Sequence, residues 1–233
     1  ELWRGPWAGI SRTNWILTNI DKSPKISDAK KTQYKGEAHF LRGLYYFNLV
    51  RLFGDVPWID KQQTASDDLQ VSRTSKDIVY QHIIDDFSDA ASMLPAVYEN
   101  TTDIGRATKG AAFGLLAKVY LTLKRYNETL VAIDSVMNLG VYSLNRKYEW
   151  NFSDLRENGP ESLFEVQYEK DVTAYSEFDI LGQGGWHHEY MAPLASINIG
   201  GPWGNFGWFA VYPEFVESYE PGDLRKSVSV WCE

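Results

Sequence analysis

The side chains of this sequence that could carry out hydrolysis are its paired carboxylates. A glycosidase places one carboxylic acid and one carboxylate on either side of a glycosidic bond, so acidic residues close in sequence are the first candidates. The pairs are Asp85 with Asp86, Asp154 with Glu157, and Asp179 with Glu189. The spacing does not fix the distance between the two carboxyl groups, and a helix surface or a polar loop accounts for each pair. We therefore predict that the protein has no catalytic residues and is not an enzyme.

Metal chemistry has one weak candidate, the triplet His187, His188 and Glu189. Imidazole and carboxylate groups ligate zinc, but a zinc site needs further ligands at diagnostic spacing, and no HExxH motif accompanies the triplet. The sequence also lacks a nucleophile elbow, a phosphate-binding loop and a dinucleotide-binding fingerprint. We predict no metal and no cofactor.

Two segments carry many aromatic and imidazole side chains: WHHEY at 186–190 and the glycine-rich GGPWGNFGWF at 200–209. An aromatic ring can pack on the apolar C–H face of a sugar, while polar neighbours bond the hydroxyl groups. Two interpretations stay open: the rings fill the core beneath long loops, or one or two of them form a stacking platform for a ligand. The aromatic and imidazole residues concerned are Trp186, His187, His188, Tyr190, Trp203, Phe206, Trp208 and Phe209.

Composition and charge narrow the class of protein. The chain has 233 residues, 44% hydrophobic and 23% charged, which is typical of a globular protein with a sizeable core. The formal net charge is −8, and no run of Lys and Arg is present, which argues against nucleic acid and anionic lipid as partners. The single cysteine, Cys232, excludes a disulfide framework within the chain. No apolar run reaches the ~18 residues of a membrane-spanning helix.

Hydrophobic periodicity predicts helices over most of the first 140 residues. Residues 37–53 are apolar around most of the helical circumference, so this helix needs neighbours on several sides. A second helix is predicted to start at Thr74, with Thr74 and Asp77 as a capping box, and to follow helical spacing to Pro95. A further helix is expected near the N-terminus, from about residue 7 to 20.

Residues 108–123 and 126–139 predict a helical hairpin. The first segment carries small residues, Gly110 and Gly114 among them, that allow another helix to approach closely. Only two residues separate the segments, so they are expected to fold back as an antiparallel pair of tetratricopeptide type, although no regular repeat period is present. In the second segment, apolar residues recur at helical spacing: Tyr126, Leu130, Ile133 and Met137.

After Gly140, short apolar runs alternate with long loops rich in glycine and aromatic residues. Residues 162–168 favour one extended strand, and Pro213 is suited to the first turn of a short helix. The sequence therefore predicts a mostly α protein with two regions. Residues 1–140 form a tetratricopeptide-like helical region, and residues 141–233 form a loop-rich, aromatic-rich region.

Several long motifs go beyond periodicity. EAHFLRGLYYFNLVRLFGDVPWI (37–59) combines a Glu-Ala-x-Phe-Leu-Arg helix with Leu-Phe-Gly-Asp-Val-Pro, and residues 106–144 end in Gly-x-Tyr-x-Leu. These segments resemble the hallmarks of the SusD/RagB family, nutrient-binding outer-membrane lipoproteins of Bacteroidetes. Residues 2–17, 160–168 and 212–227 also resemble family segments, so the resemblance covers nearly the whole chain.

The resemblance implies a SusD-like fold, with four tetratricopeptide-like helix pairs and a loop-rich remainder. It also implies a surface glycan-binding protein that captures oligosaccharides and hands them to a SusC-like TonB-dependent transporter in the outer membrane. Family members are anchored by a lipidated N-terminal cysteine and are considerably longer than this sequence. We therefore expect the sequence to be part of a longer chain.

For ligand contacts, the resemblance points to the Trp- and Gly-rich loops. Two alternatives to glycan capture stay open: a peptide-binding nutrient receptor of the same family, and a helical-repeat scaffold that binds a protein partner. Trp3 and Trp7 are further candidates for ligand contact. The predicted ligand-binding residues are Trp186, Tyr190, Trp203 and Trp208 for stacking, with Asn205 and His187 for hydrogen bonding to hydroxyl groups.

Overall fold

The computed structural model describes residues 2–67, 69–167 and 212–229, and the chain divides into two compact units. The first unit consists of Glu1–Leu144 and Asn158–Glu165, and the second of Asn145–Glu157 and Val166–Glu233. Within the described ranges, the helices of the first unit are α1 (Arg4–Asn19), α2 (Asp28–Phe53), α3 (Lys76–Met93), α4 (Lys109–Thr122) and α5 (Tyr126–Met137).

The described part of the second unit consists of short elements. Tyr148–Phe152 and Asp154–Arg156 are 3₁₀ turns, and Pro213–Glu217 and Lys226–Ser229 are short helices. Pro213 occupies the start of its helix, where its missing N–H is not needed. The prediction of a short helix at this position is confirmed.

Each helix of the first unit packs against the next one along the chain, from α1 to α5. The helix predicted to need neighbours on several sides, α2, contacts α1, α3 and α4. The mostly α prediction is confirmed, and the described residues contain an isolated bridge between Val56 and Thr74 in place of a sheet. Large side chains from these helices fill one core, including Ile10, Phe40, Tyr46, Phe47, Ile83 and Phe87.

The helix α2 begins nine residues before the predicted start at residue 37. Ser27 accepts a hydrogen bond from the backbone N–H of Lys30 at 3.4 Å and caps the helix. The first turns are mostly polar, so they carry no apolar period that a sequence pattern would detect. At the other end, Gly54 has φ +70° and stops the helix, as expected.

The predicted capping box at the start of α3 is wrong. The helix starts at Lys76 with Ser75 as its N-cap residue, and no side chain of the cap residue bonds the first turn. The backbone of Thr74 is instead held in the bridge, where its N–H donates to the carbonyl of Val56 at 3.0 Å. Asp55, from the chain segment after α2, accepts the Lys76 N–H at 2.8 Å and takes over the capping role.

The predicted hairpin is confirmed as α4 and α5, which are joined by residues 123–125 and pack on each other. The contact face of α5 consists of small or slender side chains, Thr129, Ala132 and Val136, all buried. The large residues that marked the helix in sequence lie on the outside. They are Tyr126, Leu130, Ile133 and Met137, exposed by 60%, 60%, 44% and 66%.

The strand predicted over residues 162–168 is wrong for residues 162–167, which form no ladder with any described residue. This segment is fixed by side chains instead of by strand pairing. The ring of Phe164 packs edge-on against Phe40, with 4.9 Å between ring centroids. Leu163 lies against Gly114 in α4, where an added Cβ would come within 2.6 Å of Leu163 Cδ1.

A buried charged pair links α2 to α3. Arg42 donates two hydrogen bonds to Asp86, from Nε at 2.9 Å and from Nη2 at 2.7 Å. Burial alone would lower the pKa of Arg42, but hydrogen bonding to Asp86 and its charge outweigh burial, so the pKa is raised. Arg42 therefore stays charged in the folded protein, and its partner Asp86 is only 2% exposed.

The same arginine reaches two further elements. Its Nη1 donates to the side chain of Asn14 in α1 at 3.0 Å and to the backbone carbonyl of Asp60 at 3.1 Å. Nδ1 of His39 lies 2.7 Å from Asp86, which completes the surroundings of the carboxylate. We call Asn14, His39, Arg42 and Asp86 the buried polar cluster. It connects three helices and the chain after α2.

We predict that Asp86→Ala strongly destabilises the protein, because it leaves the Arg42 guanidinium buried without its carboxylate. Removing one partner of a buried pair lowers the free energy of unfolding by about 3–5 kcal/mol. Urea denaturation measures this change. The neighbouring carboxylate provides the control: Asp85 is exposed and accepts only from Gln81, so Asp85→Ala is expected to stay within about 0.5 kcal/mol. Equal effects of the two substitutions would contradict this role of the pair.

A close approach between α4 and the chain after α5 depends on glycine. The ring of Tyr142 lies directly over Gly110, where an added Cβ would overlap the ring atoms and the hydroxyl oxygen. The Tyr142 ring cannot move aside without losing its hydrogen bond at 2.8 Å to Thr108. Thr108 in turn caps α4 by accepting from Ala111 at 3.1 Å.

We expect Gly110→Ala to lower the free energy of unfolding by about 1–3 kcal/mol, the usual cost of overpacking a close contact. Thermal unfolding measures the loss. Gly5→Ala is the matched control, because Gly5 is also helical but has no atom within 4 Å of the added Cβ. That variant is expected to be neutral or up to about 1 kcal/mol more stable. A Gly110→Ala protein as stable as the Gly5→Ala protein would show that the contact with Tyr142 is not tight.

Candidate functional site

The six predicted ligand-binding residues, which lie between 186 and 208, fall outside the described residues. They are Trp186, His187, Tyr190, Trp203, Asn205 and Trp208. Their placement therefore stays a prediction. The described residues contain two other surfaces with ligand-binding chemistry, an aromatic cluster at the start of α1 and a cleft beside the α3–α4 loop.

The N-terminal aromatic cluster consists of Trp3, Trp7 and Phe53. Trp3 packs edge-on against both others, with ring centroids 5.2 Å from Trp7 and 5.0 Å from Phe53. Trp7 reaches inward to Tyr46 in the core at 6.0 Å, whereas Trp3 and Phe53 remain 42% and 43% exposed. The two tryptophans named as further candidates thus divide their roles: Trp7 anchors the cluster and Trp3 presents ring surface to solvent.

The cleft, which we call the α3–α4 cleft, has a volume of about 220 Å³. Its lining comes from residues 96–98, 104–108, 141–142 and 158–165, all within the first unit. Two of these segments belong to the loop between α3 and α4, and the others follow α5. Helix packing brings these segments together, although the first and last lie more than 60 residues apart in sequence.

A charged network fixes the α3–α4 side of the cleft. The guanidinium of Arg106 forms a two-pronged bond with Glu37 of α2, through Nε at 2.8 Å and through Nη2. The hydroxyl of Tyr98 donates to the carbonyl of Ala107 at 2.8 Å and lies 3.2 Å from Glu37. The ring of Tyr34 lies beneath the guanidinium at 5.7 Å. The loop is therefore tied to α2 at two points.

This network also shifts the pKa values of Tyr98 and Arg106. Burial, followed by the negative charge of Glu37, raises the pKa of Tyr98, so its hydroxyl stays protonated. The hydrogen bond to Glu37 raises the pKa of Arg106, which stays charged. Because Glu37 balances the charge of Arg106, the two together offer a polar surface that is neutral overall.

The opposite side is held by the chain after α5. Ser143 N–H donates to the carbonyl of Pro160 at 2.9 Å, which joins two lining segments. Asn158 N–H donates to Oε2 of Glu165 at 3.0 Å and closes the turn between them. Together with the bond from Tyr142 to Thr108, these contacts fix the cleft walls at both ends.

No residue of this cleft stands out in the sequence as a functional residue. Tyr98 and Arg106 lie in a polar loop, and Tyr142 lies in the Gly-x-Tyr-x-Leu motif, which marked the family but no site. The available signal in the sequence was the set of small residues in α4. Small residues predict that another segment packs closely against α4, but they do not identify that segment. As for metals, the described ranges contain no group of three or more His, Cys, Asp or Glu side chains placed to hold an ion.

The comparisons with known proteins agree with one another on the family to which this chain is similar. Residues 1–121 match the model of a SusD-like family described as starch-binding and associating with the outer membrane. The fold is similar to a SusD superfamily protein from Parabacteroides distasonis, at 30% identity and a TM-score of 0.83, over 97% of this chain and 47% of that one.

Two further structures carry names that mention carbohydrate. Surface glycan-binding protein A from Bacteroides fluxus matches at 26% identity and a TM-score of 0.83, over 97% of this chain and 49% of that one. A laminarin-binding SusD-like protein matches at 29% identity and a TM-score of 0.65, over 72% of this chain and 37% of that one.

The chain also spans 38%, 32% and 44% of the length of the first three curated relatives that it matches. The family model covers more than half of the chain and includes α1 to α3, the buried polar cluster and most of α4. The motifs, the helical fold and the matched model agree: this chain belongs to the SusD-like family.

Proposed function

We propose that the protein is a surface glycan-binding protein that captures oligosaccharides and passes them to a TonB-dependent outer-membrane transporter. The observation that carries this proposal is the similarity over 97% of the chain to a surface glycan-binding protein. The family description, starch-binding and associating with the outer membrane, supports both the ligand class and the location.

Glycan binding is proposed to use the aromatic loops. Trp186, Tyr190, Trp203 and Trp208 would stack on sugar rings, and His187 and Asn205 would bond hydroxyl groups. The chemistry supports this assignment, because an aromatic face and a polar neighbour match the two sides of a pyranose ring. The exposed ring of Trp3 extends the same chemistry to the surface of the first unit.

Binding is proposed to be passive, with no bond broken. Of the carboxylate pairs considered, Asp85 and Asp86 do not face a common site: Asp86 is buried against Arg42, and Asp85 is exposed and bonded to Gln81. Asp86 is thus bonded to Arg42 in the core, where a substrate cannot reach it.

Anchoring to the outer membrane by a lipid is part of the proposal, and the family description, associating with the outer membrane, supports the location. Among the described helices, none is long and apolar enough to cross a membrane.

A protein-interaction scaffold is the second candidate, and one observation favours it. The outer face of α5 exposes Tyr126, Leu130 and Met137 in a row, each by at least 60%. Such a stripe on a tetratricopeptide-like hairpin is the type of surface that binds another protein. It is compatible with glycan capture, because a transporter would itself be a protein partner.

We expect the purified protein to be retarded in affinity electrophoresis by at least one polysaccharide from a panel of starch, laminarin and other plant, algal and host glycans. Trp203→Ala and Trp208→Ala are expected to weaken binding by about 1–3 kcal/mol, if sugar stacking resembles base stacking. Calorimetry with oligosaccharides from the retarding polymer measures the change.

The control for these variants is Trp15→Ala. Trp15 is 57% exposed, but it lies in α1 outside the N-terminal aromatic cluster, so its loss is expected to leave affinity unchanged. Unchanged affinity in both loop variants would remove the stacking assignment. Failure of every polysaccharide with folded protein would instead favour peptide cargo or the scaffold.

A further inference from the structure

We infer that the α3–α4 cleft is a second carbohydrate site, built to hold one neutral hexopyranose unit of a glycan. The inference rests on the proposed function for its ligand class, but it names residues that the predicted aromatic platform does not include. The size of the cleft suits such a unit. A water molecule takes up roughly 30 Å³, so a cleft of about 220 Å³ holds the equivalent of a small cluster of waters, or one six-membered ring with its hydroxyl groups.

The apolar part of the cleft suits the C–H face of a sugar. The rings of Tyr98 and Tyr142 contribute to its walls, and Val97, Ile104 and Val141 contribute aliphatic groups. Val97 and Ile104 are 57% and 54% exposed, although they belong to a loop that hydrogen bonds tie to α2. Covering them with a ligand would remove apolar surface from water without rearranging the core.

The polar part suits hydroxyl groups. Arg106, Ser162 and Glu165 lie among the lining residues. Glu37 engages Nε and Nη2 of Arg106, whereas Nη1 is 3.8 Å from Asp103, beyond hydrogen-bonding distance. That nitrogen can therefore donate to a ligand oxygen. Charged donors and acceptors placed beside an apolar wall are the usual means by which a pocket orients a small polar ligand.

Charge argues for a neutral sugar and against a uronate or sulfated one. The carboxylates of the network are Glu37 and Asp103, and a third, Glu165, lines the cleft. The cations are Arg106 and, at 3.9 Å from Asp103, Lys30. Because the two cations already have carboxylate partners, an anionic ligand would meet no uncompensated positive charge.

The walls of the cleft are tied together by hydrogen bonds within the protein. The two sides of the cleft are held by the bonds from Arg106 to Glu37, from Tyr142 to Thr108 and from Ser143 to Pro160. A preformed site loses little conformational entropy on binding, so even a single sugar unit can bind with measurable affinity.

The test compares a cleft variant with a matched surface variant. Val97→Ala combined with Ile104→Ala removes exposed aliphatic surface at the cleft, while Val131→Ala combined with Ile78→Ala removes the same groups from exposed positions on α5 and α3. Each variant and the parent protein are titrated with glucose, maltose and laminaribiose, and amide chemical shifts are followed by NMR. A uronic acid serves as the anionic comparison.

We expect saturable shifts at residues 96–106 and 158–165 with the neutral sugars, and about fivefold weaker binding there in the cleft variant, from the apolar contact area that it loses. The surface variant is expected to match the parent protein. These shifts should persist when Trp203 and Trp208 are both replaced by alanine, because the cleft is proposed to be a site separate from the aromatic loops.

The outcomes separate the two proposals. Polysaccharide retardation without shifts in the cleft, or with equal affinity in the cleft and surface variants, would overturn the cleft site and leave the proposed function in place. Cleft shifts with the uronic acid as strong as those with glucose would overturn the choice of a neutral sugar. No response to any sugar and no retardation by any polysaccharide would overturn both proposals.

Discussion

The first unit depends on one interaction, the buried pair of Arg42 and Asp86. A guanidinium and a carboxylate removed from water are tolerated only when they satisfy each other and their remaining donors and acceptors. Arg42 meets this requirement by reaching Asn14 of α1 and the backbone of Asp60. This pairing fixes the positions of α1, α2, α3 and the segment after α2 relative to one another. The large aromatic residues around the pair then pack into a core whose geometry is already constrained.

A second charged pair repeats this arrangement nearer the surface. Glu37, also from α2, binds Arg106 from the α3–α4 loop. The helix α2 supplies the arginine of the buried pair and the glutamate of the second pair. Because Arg106 is partly exposed, its pair contributes less to stability than the buried one. It instead gives a polar loop a defined conformation, and the α3–α4 cleft is built on that loop.

In the helical hairpin, small residues lie at the packed contacts and large apolar residues lie on the surface. Small residues on α4 and α5 form the contacts: Gly110 admits Tyr142, Gly114 admits Leu163, and Ala132 lies between the two helices. Large apolar residues are left outside, on the outer face of α5. The small residues of the hairpin therefore allow close packing, and its large apolar residues stay exposed, where they can contact another surface. A repeat architecture is built in this way, because each unit buries its apolar face only against a neighbour.

The sequence by itself determined the helical class, the α4–α5 hairpin and the family, because these follow from local periodicity and from motifs that are continuous in the chain. It did not determine where α2 begins, how α3 is capped or that residues 162–167 form no strand pairing. Those outcomes depend on Ser27, on Asp55 and on the packing of Phe164, which are set by local polar contacts or by distant partners. The cleft was beyond sequence reasoning for the same reason. Tyr98 and Arg106 lie in a polar loop and Tyr142 lies in a family motif, so nothing in the sequence joins the three. Tertiary structure brings them to one surface, because it ties the α3–α4 loop to Glu37 and places Tyr142 over Gly110.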